Sequence, residues 1–100
     1  MWVYLITCSS TQKVYIGQTT YDSVEQRLRK HYYDAKRTDR IIPPLGKDML
    51  RYGLPAFDVK SLHRCSSQVE LDMAEIHYIS EYQSLFPNGY NRTRGGRGNR

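Results

Sequence analysis

Glu75 is the residue whose sequence surroundings say most about chemistry, because it is a carboxylate among apolar helical neighbours. Leu71, Tyr78 and Ile79 fall four positions before it and three and four positions after it, so they share one helix face with it. An uncompensated charge on such a face is costly, so the carboxylate needs a partner cation, a shifted pKa or a bound metal ion. A salt bridge to an arginine at the edge of the core would meet the same need. A metal-binding carboxylate of this kind suits Mg²⁺.

Arg27 and His31 form a second pair with chemical potential, since they are four residues apart and share a helix face. The planar fork of an arginine matches the oxygens of a phosphate, and a histidine exchanges a proton near neutral pH. The alternative is that both residues belong to a solvated face of a helix rich in arginine and lysine.

Two tyrosines and an asparagine complete the set of candidates. Tyr4 and Tyr15 lie in two apolar segments that are predicted to pair as strands, and both project to one face if the register allows it. The alternative is two core aromatics whose hydroxyls form hydrogen bonds at the edge. Asn91 follows a turn at residues 87–89 and either holds a ligand or caps the turn through its own backbone.

The two cysteines do not form a disulfide scaffold, and reduced, buried thiols in an intracellular protein are expected. Cys8, His63 and Cys65 offer soft metal ligands. However, the chain has no Cys-x-x-Cys and no His-x-x-x-His pairing, so the spacing does not favour a structural zinc site.

The composition is that of one soluble globular domain of 100 residues, with 39% apolar and 25% charged residues. It excludes a chain that is disordered throughout, and no apolar run is long enough to cross a membrane. The net charge is +5, but residues 92–100 hold four arginines and no acid, so residues 1–91 carry only +1. The basic excess is therefore concentrated at the carboxyl end.

The elements that must position these residues follow from hydrophobic periodicity and turn signals. Strands are predicted over residues 2–8, 13–17 and 57–65, and helices over residues 24–36, 45–52 and 68–83. Gly17 is expected to end the second strand. Ser23 with Gln26, and Ser67 with Glu70, match the capping-box spacing. The order predicts an α+β domain, a small three-stranded antiparallel sheet flanked by helices.

Six segments, in this order along residues 2–96, resemble the motifs of the GIY-YIG nuclease superfamily, which includes the catalytic modules of phage-type homing endonucleases. They are Trp2-Val3-Tyr4 in place of Gly-Ile-Tyr, the intact Tyr15-Ile16-Gly17, Arg27-x-x-x-His31, Arg51-Tyr52-Gly53 with Phe57, Glu75-Ile76-His77-Tyr78-Ile79, and the closing stretch from Asn88 to Gly96. The departure at Trp2 retains the tyrosine of its motif.

The resemblance implies the GIY-YIG fold and a metal-dependent DNA endonuclease, with one Mg²⁺ or Mn²⁺ held by Glu75. It also implies that Arg27 binds a nonbridging phosphate oxygen and that Tyr15, supported by Tyr4, orients or deprotonates the attacking water. His31 then tunes the tyrosine or receives its proton.

The resemblance assigns Asn91 to positioning the phosphate or the active-site loop. DNA, expected to be double-stranded, would be contacted at Arg29, Lys30, Arg92, Arg94 and Arg97. The nuclease domain would span residues 1–96, followed by a flexible basic tail over residues 97–100.

Two rival functions belong to other classes. One is a nucleic-acid-binding module without catalysis that uses the basic first helix and the Arg-Gly tail. The other is a structural domain that binds a protein partner through its tyrosines. Binding nucleic acid requires no carboxylate in an apolar stripe, so Glu75 argues for the enzyme.

Overall fold

The described residues form one sheet and three α-helices, in the order that the hydrophobic pattern predicts. The computed structural model describes residues 1–37 and 41–96. The elements are β1 (Trp2–Cys8), β2 (Val14–Thr19), α1 (Val24–Ala35), α2 (Pro44–Tyr52), a 3₁₀ turn (Leu54–Ala56), β3 (Phe57–Arg64) and α3 (Gln68–Tyr82). The predicted α+β class is confirmed. Within the described residues, no helix has the length and apolar character that crossing a bilayer requires.

β1 is the central strand of the sheet, whose order is β2-β1-β3 with antiparallel pairing on both sides. The hairpin register places Tyr4 opposite Gly17 and Ile6 opposite Tyr15. Paired residues project to the same face and side chains alternate along a strand, so Tyr4, Ile6 and Tyr15 share one face. β2 is left as an edge strand.

The two faces of the sheet carry separate apolar clusters. On one face, β1 packs against α1 and α2 through a cluster that includes Tyr4, Ile6, Cys8, Val24, Leu45 and Met49. On the other face, alternate residues pack against α3 in a cluster that includes Val3, Leu5, Ile16, Leu71 and Ile79. β2 therefore carries residues that face α1, such as Tyr15, and residues that face α3, such as Ile16.

The second strand is longer than predicted, because Gly17 lies inside it rather than at its end. The ring of Tyr4 lies directly against the backbone of Gly17, and a Cβ on this glycine would collide with the ring carbon and hydroxyl oxygen of Tyr4. The glycine is therefore required by close approach of a side chain and not by a turn.

The cap predicted at Ser67 is confirmed, although the Glu70 carboxylate bonds to the N–H of Ser66 and not to that of Ser67. The Ser67 hydroxyl accepts a hydrogen bond from the Glu70 N–H at 3.1 Å, which caps α3. Ser23 is the N-cap residue of α1, but its hydroxyl donates to the Glu25 carboxylate at 3.1 Å and makes no capping bond. The box predicted for Ser23 and Gln26 is wrong: the Ser23 hydroxyl bonds to the Glu25 carboxylate and accepts no bond from the N–H groups of the first turn.

Candidate active site

The β1–β2 hairpin places Tyr4 and Tyr15 side by side on the α1 face of the sheet. Tyr4 pairs with Gly17, two residues beyond Tyr15, so the two tyrosines are diagonal neighbours. Their ring centroids are 6.3 Å apart. Tyr4 is fully buried, whereas Tyr15 is partly exposed. The register that the sequence left open thus brings both phenols to one face, with Tyr15 nearer to solvent.

Helix α1 adds His31 and Arg27 to the tyrosine pair. The Tyr4 hydroxyl and His31 Nε2 form a hydrogen bond of 2.9 Å, and the His31 ring meets the Tyr15 ring edge-on at 5.1 Å between centroids. Arg27, one turn earlier, lies within electrostatic range of both phenols. Its Nε atom is buried, and no acceptor in the described part of the chain forms a hydrogen bond with it. At least one hydrogen-bond donor of the guanidinium is therefore not used within the described fold.

Burial raises the pKa of both tyrosines above the ordinary value of 10. For Tyr15, the nearby Tyr4 and the carboxylate of Glu75 raise the pKa further, while Arg27 and Arg92 act in the opposite direction. Both phenols are consequently protonated at neutral pH. This favours a tyrosine that orients a water molecule over a tyrosine that deprotonates it.

His31 is shifted the other way. Burial lowers the pKa of His31 to about 4, and the positive charge of Arg27 acts in the same direction. The imidazole is therefore neutral at pH 7, and a neutral imidazole has one ring nitrogen that donates and one that accepts a hydrogen bond. The cluster combines a fixed cation with a neutral base.

Glu75 lies on α3 and is fully buried. Its Oε1 accepts a hydrogen bond from Gln18 Nε2 at 3.1 Å, and the same amide donates to Asp72 Oδ1 at 2.9 Å. The amide of Gln68 donates to Gln18 Oε1 at 2.8 Å and to Asp72 Oδ1 at 2.9 Å. The negative charge of Glu75 also reaches Tyr4, whose pKa it raises in addition to burial. The carboxylate therefore connects the α3 side to the tyrosine cluster.

The donor atoms around Glu75 fit a small divalent cation. The carboxylates of Glu75 and Asp72 and the amide oxygen of Gln18 are hard oxygen ligands of the kind that Mg²⁺ and Mn²⁺ prefer. A side-chain amide has an NH₂ group that donates hydrogen bonds and an oxygen that accepts them. Gln18 can therefore donate to the two carboxylates, as it does here, or turn its oxygen towards a cation.

Asn91 is fully buried behind β2 and bonds to the backbone of that strand. Its Nδ2 donates to the Ile16 carbonyl at 2.8 Å, and its Oδ1 accepts from the Ile16 N–H at 2.9 Å and from the Ser84 hydroxyl at 2.6 Å. The side chain thus replaces a neighbouring strand. Because Ile16 lies between Tyr15 and Gly17, this arrangement favours the role of holding the active-site segment over contact with a phosphate.

A cavity of about 460 Å³ opens where these groups approach the surface. Tyr15 and His31 contribute to its wall, and three cationic side chains border it, those of Arg27, Lys30 and Arg92. An anionic ligand of the size of a phosphate group would therefore meet a guanidinium fork, a phenol and a neutral imidazole in one space.

Comparison with known proteins identifies the domain. The profile of the GIY-YIG catalytic domain matches residues 1–91. The chain belongs to the GIY-YIG catalytic domain family. It is a GIY-YIG-type endonuclease, as its motifs predict. A search of curated proteins found no significant match.

Two solved structures share the fold of this GIY-YIG domain. A mutant of the catalytic domain of the intron endonuclease I-TevI has a TM-score of 0.77 at 22% identity, with 92% of each chain covered. The catalytic domain of the homing endonuclease I-TevI has a TM-score of 0.74 at 22% identity, with 92% of this chain and 97% of that chain covered. At this identity the likeness establishes a common fold.

The predicted DNA-binding residues of this GIY-YIG domain do not all lie in one place. Lys30 and Arg92 border the cavity beside Tyr15. Arg29 is exposed on α1 but does not line the cavity, and Arg94 borders a separate groove. Arg97 and the predicted tail at residues 97–100 lie outside the described residues.

Sequence reasoning missed the polar residues that surround Glu75. Gln68, Asp72 and Glu75 are spaced four and three residues apart, and this spacing places them on one face of α3. Gln18 directly follows Gly17 in the second motif and projects to the same side of β2 as Ile16. The helical spacing was a usable signal. The contact with Gln18 depends on how α3 crosses the sheet, which no local pattern reveals.

Proposed function

We propose that this GIY-YIG domain hydrolyses phosphodiester bonds of double-stranded DNA in a reaction that depends on one divalent ion, Mg²⁺ or Mn²⁺. The observation that carries the proposal is the convergence of Tyr15, Arg27 and His31 on one cationic cavity, with the buried Glu75 carboxylate within electrostatic range of the tyrosines. Phosphodiester hydrolysis needs a positioned water, positive charge around the phosphoryl group and a route for protons. Tyr15 would position the water, Arg27 would supply positive charge, and His31 would provide a route for protons.

Glu75 is the residue that would hold the ion, with Asp72 and Gln18 as further oxygen donors beside it. When bound, a divalent cation supplies positive charge for the phosphoryl group and for the departing oxygen. Removing Glu75 would therefore leave the other polar groups in place while removing the anionic centre of the metal site.

Arg27 binds a nonbridging oxygen of the scissile phosphate. A guanidinium presents its donors as a rigid fork, which matches two oxygens at once, and partial burial strengthens the interaction because water screens it less. The buried Nε is one donor that the described fold does not use.

Tyr15 positions the attacking water, because it is the exposed member of the pair and its phenol remains protonated. The hydrogen bond between the Tyr4 hydroxyl and His31 Nε2 holds the imidazole against the Tyr15 ring. A neutral His31 in this position receives a proton during the reaction or adjusts the hydrogen bonding of the tyrosine. Asn91 acts as a positioning residue, since its amide fixes the backbone beside Tyr15.

DNA binding rests on the phosphate backbone. Lys30 and Arg92 flank the cavity and would contact phosphates next to the scissile one. Arg29 and Arg94 would add contacts outside the cavity that carry little sequence specificity, and Arg97 is proposed as a further phosphate contact. Two free, buried cysteines support an intracellular location for this activity.

Nicking of supercoiled plasmid DNA by the purified domain tests the proposal. We expect conversion to open circles with Mg²⁺ or Mn²⁺, none with EDTA, and none from Glu75→Gln, which has nearly the same size as the native residue. Activity that persists in EDTA would contradict metal dependence. Binding of DNA without any nicking in either metal would instead support the non-catalytic module.

A further inference from the structure

A second cluster of metal-binding side chains lies where β3 leads into α3. Three potential ligand atoms lie within 4.8 Å of one another: a ring nitrogen of His63, the Sγ of Cys65 and a carboxylate oxygen of Glu70. His63 Nε2 and Glu70 Oε2 are 3.3 Å apart, and both side chains are partly exposed, whereas Cys65 is only 5% exposed. A nitrogen, a sulfur and an oxygen therefore meet at the rim of the α3 face.

The carboxylate of Glu70 is held in place by its neighbours. Its Oε1 accepts hydrogen bonds from the N–H of Ser66 at 3.1 Å and from the Ser66 hydroxyl at 3.0 Å. These bonds leave Oε2 directed at His63. In metalloproteins, hydrogen bonds from neighbouring groups to a carboxylate commonly hold it in the orientation in which it binds the metal.

The cluster is separate from the candidate catalytic centre. Glu70 and Glu75 are five residues apart on α3, so at about 3.6 residues per turn their side chains leave the helix in clearly different directions. Glu70 turns towards the exposed His63, whereas Glu75 is buried against Gln18.

We propose that His63, Cys65 and Glu70 form a zinc site. Zinc takes imidazole, thiolate and carboxylate ligands in a tetrahedral arrangement whose ligand atoms are about 3.3–3.7 Å apart. The distance from His63 to Glu70 already matches that spacing, and the thiol of Cys65 needs only a small movement to reach it. On binding, the thiol releases its proton to solvent, and a water molecule takes the fourth position on the exposed side of His63.

The sequence did not reveal this site because its third ligand is not a cysteine or a histidine. Cys8, the other soft ligand considered from the sequence, belongs to the cluster on the α1 face, whereas Cys65 belongs to the cluster on the α3 face. The carboxylate that completes the set comes from Glu70 in the first turn of the helix, where it also accepts hydrogen bonds from the N–H and hydroxyl of Ser66. A metal there would tie the end of β3 to the start of α3.

Cobalt substitution tests the site without reference to DNA cleavage. The reduced domain is titrated with Co²⁺, and we expect one equivalent to produce the thiolate-to-cobalt charge-transfer absorption together with the intense visible bands of tetrahedral Co²⁺. Zinc should displace the cobalt and raise the thermal unfolding temperature. His63→Ala should abolish the tetrahedral bands and the zinc-induced stabilisation, and Cys65→Ser should abolish the charge-transfer band.

His77→Ala is the matched control. His77 is an exposed histidine on α3, the helix that carries Glu70, and it is not part of the cluster. This variant should bind cobalt as the native domain does. The proposal is overturned if the native domain shows no thiolate-to-cobalt band. It is equally overturned if His63→Ala and Cys65→Ser keep the native spectrum, or if His77→Ala loses it. His63 is exposed, so its variant is expected to fold even if the Cys65 variant does not.

Discussion

Glu75 and Asn91 are both fully buried polar side chains, and they differ in what surrounds them. The Asn91 amide bonds to the N–H and the carbonyl of Ile16, which belong to the backbone of β2. Glu75 accepts instead from the side-chain amide of Gln18. A backbone partner cannot leave without disrupting the sheet, whereas a side-chain amide can rotate away.

Under the proposed function, this difference separates Asn91, which holds the backbone of β2, from Glu75, which would bind the metal ion. Asn91 completes the hydrogen bonding of a strand, so its burial contributes to stability. Glu75 places a carboxylate among apolar neighbours and side chains able to rearrange, which is the arrangement expected where a cation enters. Burial alone would not have distinguished the two residues. The chemistry of their partners does.

After loss of Glu75, the largest decrease in cleavage rate is expected from a change at Arg27, which lines the cavity. Arg27→Lys keeps the charge but removes the planar fork, so the cleavage rate should fall about 10²–10³-fold while the unfolding temperature changes little. Single-turnover cleavage of a short duplex measures this. Arg29→Lys, an exposed neighbour on α1, is the control. A rate for Arg27→Lys close to that of the control would remove Arg27 from the reaction.

Asn91→Ala should produce the opposite pattern. It leaves the buried N–H and carbonyl of Ile16 without their partner, which should lower the free energy of unfolding by about 3 kcal/mol. Urea denaturation measures this, with Asn88→Ala as the control, because Asn88 is exposed and bonds only through Nδ2 to the Gln83 carbonyl. Unchanged stability in Asn91→Ala would place Asn91 with Glu75 as a functional residue.

His31 gives a pH-dependent test of the same cavity. Its pKa is about 4 in the folded protein, below the ordinary 6.5, because burial and then Arg27 disfavour the charged form. The unfolded chain therefore takes up the proton first as the pH falls, so stability is full above pH 6.5 and decreases towards pH 4. The loss is roughly 3 kcal/mol from this group.

Urea denaturation between pH 7 and pH 4 of the native domain and of His31→Gln measures that contribution. The variant should lose less stability than the native domain over this range. His77→Gln, which replaces an exposed histidine, should follow the native domain. If His31→Gln and the native domain show parallel curves, His31 does not titrate as a buried group.

The smallest expected effect distinguishes two of the basic residues. Arg92→Ala should reduce the slope of log affinity against log salt by about 1, since Arg92 borders the cavity where the phosphate would lie. Arg94→Ala should change the slope less, because Arg94 borders a different groove. Equal changes in the two variants would mean that DNA does not approach through the cavity.

Local patterns predicted the order and type of every main element. Five of the residues that line the cavity were also singled out from the sequence: Tyr15, Arg27, Lys30, His31 and Arg92. The carboxylate in the apolar stripe at Glu75 and the shared face of Arg27 and His31 follow from helical periodicity, which the structure confirms. The register that joins Tyr4 to Gly17 was not readable, because the side chain that occupies the space above a glycine depends on strand pairing.

Contacts between distant segments were the other part that the sequence did not reveal. Gln18 meets Asp72 and Glu75 only because α3 crosses the sheet at β2, and Asn91 reaches Ile16 only because the chain returns behind that strand. At the start of α1 the predicted capping box does not form, and the Ser23 hydroxyl bonds to the Glu25 side chain instead.

Binding of a divalent ion at Glu75 is tested most directly by paramagnetic broadening with Mn²⁺. Mn²⁺ is titrated into the isotopically labelled domain bound to a nuclease-resistant duplex, and the amide signals are followed by NMR. We predict that the signals of Gln18 and Glu75 broaden first, and that this early broadening is lost in Glu75→Gln. Broadening that begins elsewhere, or that is the same in Glu75→Gln, would contradict the account.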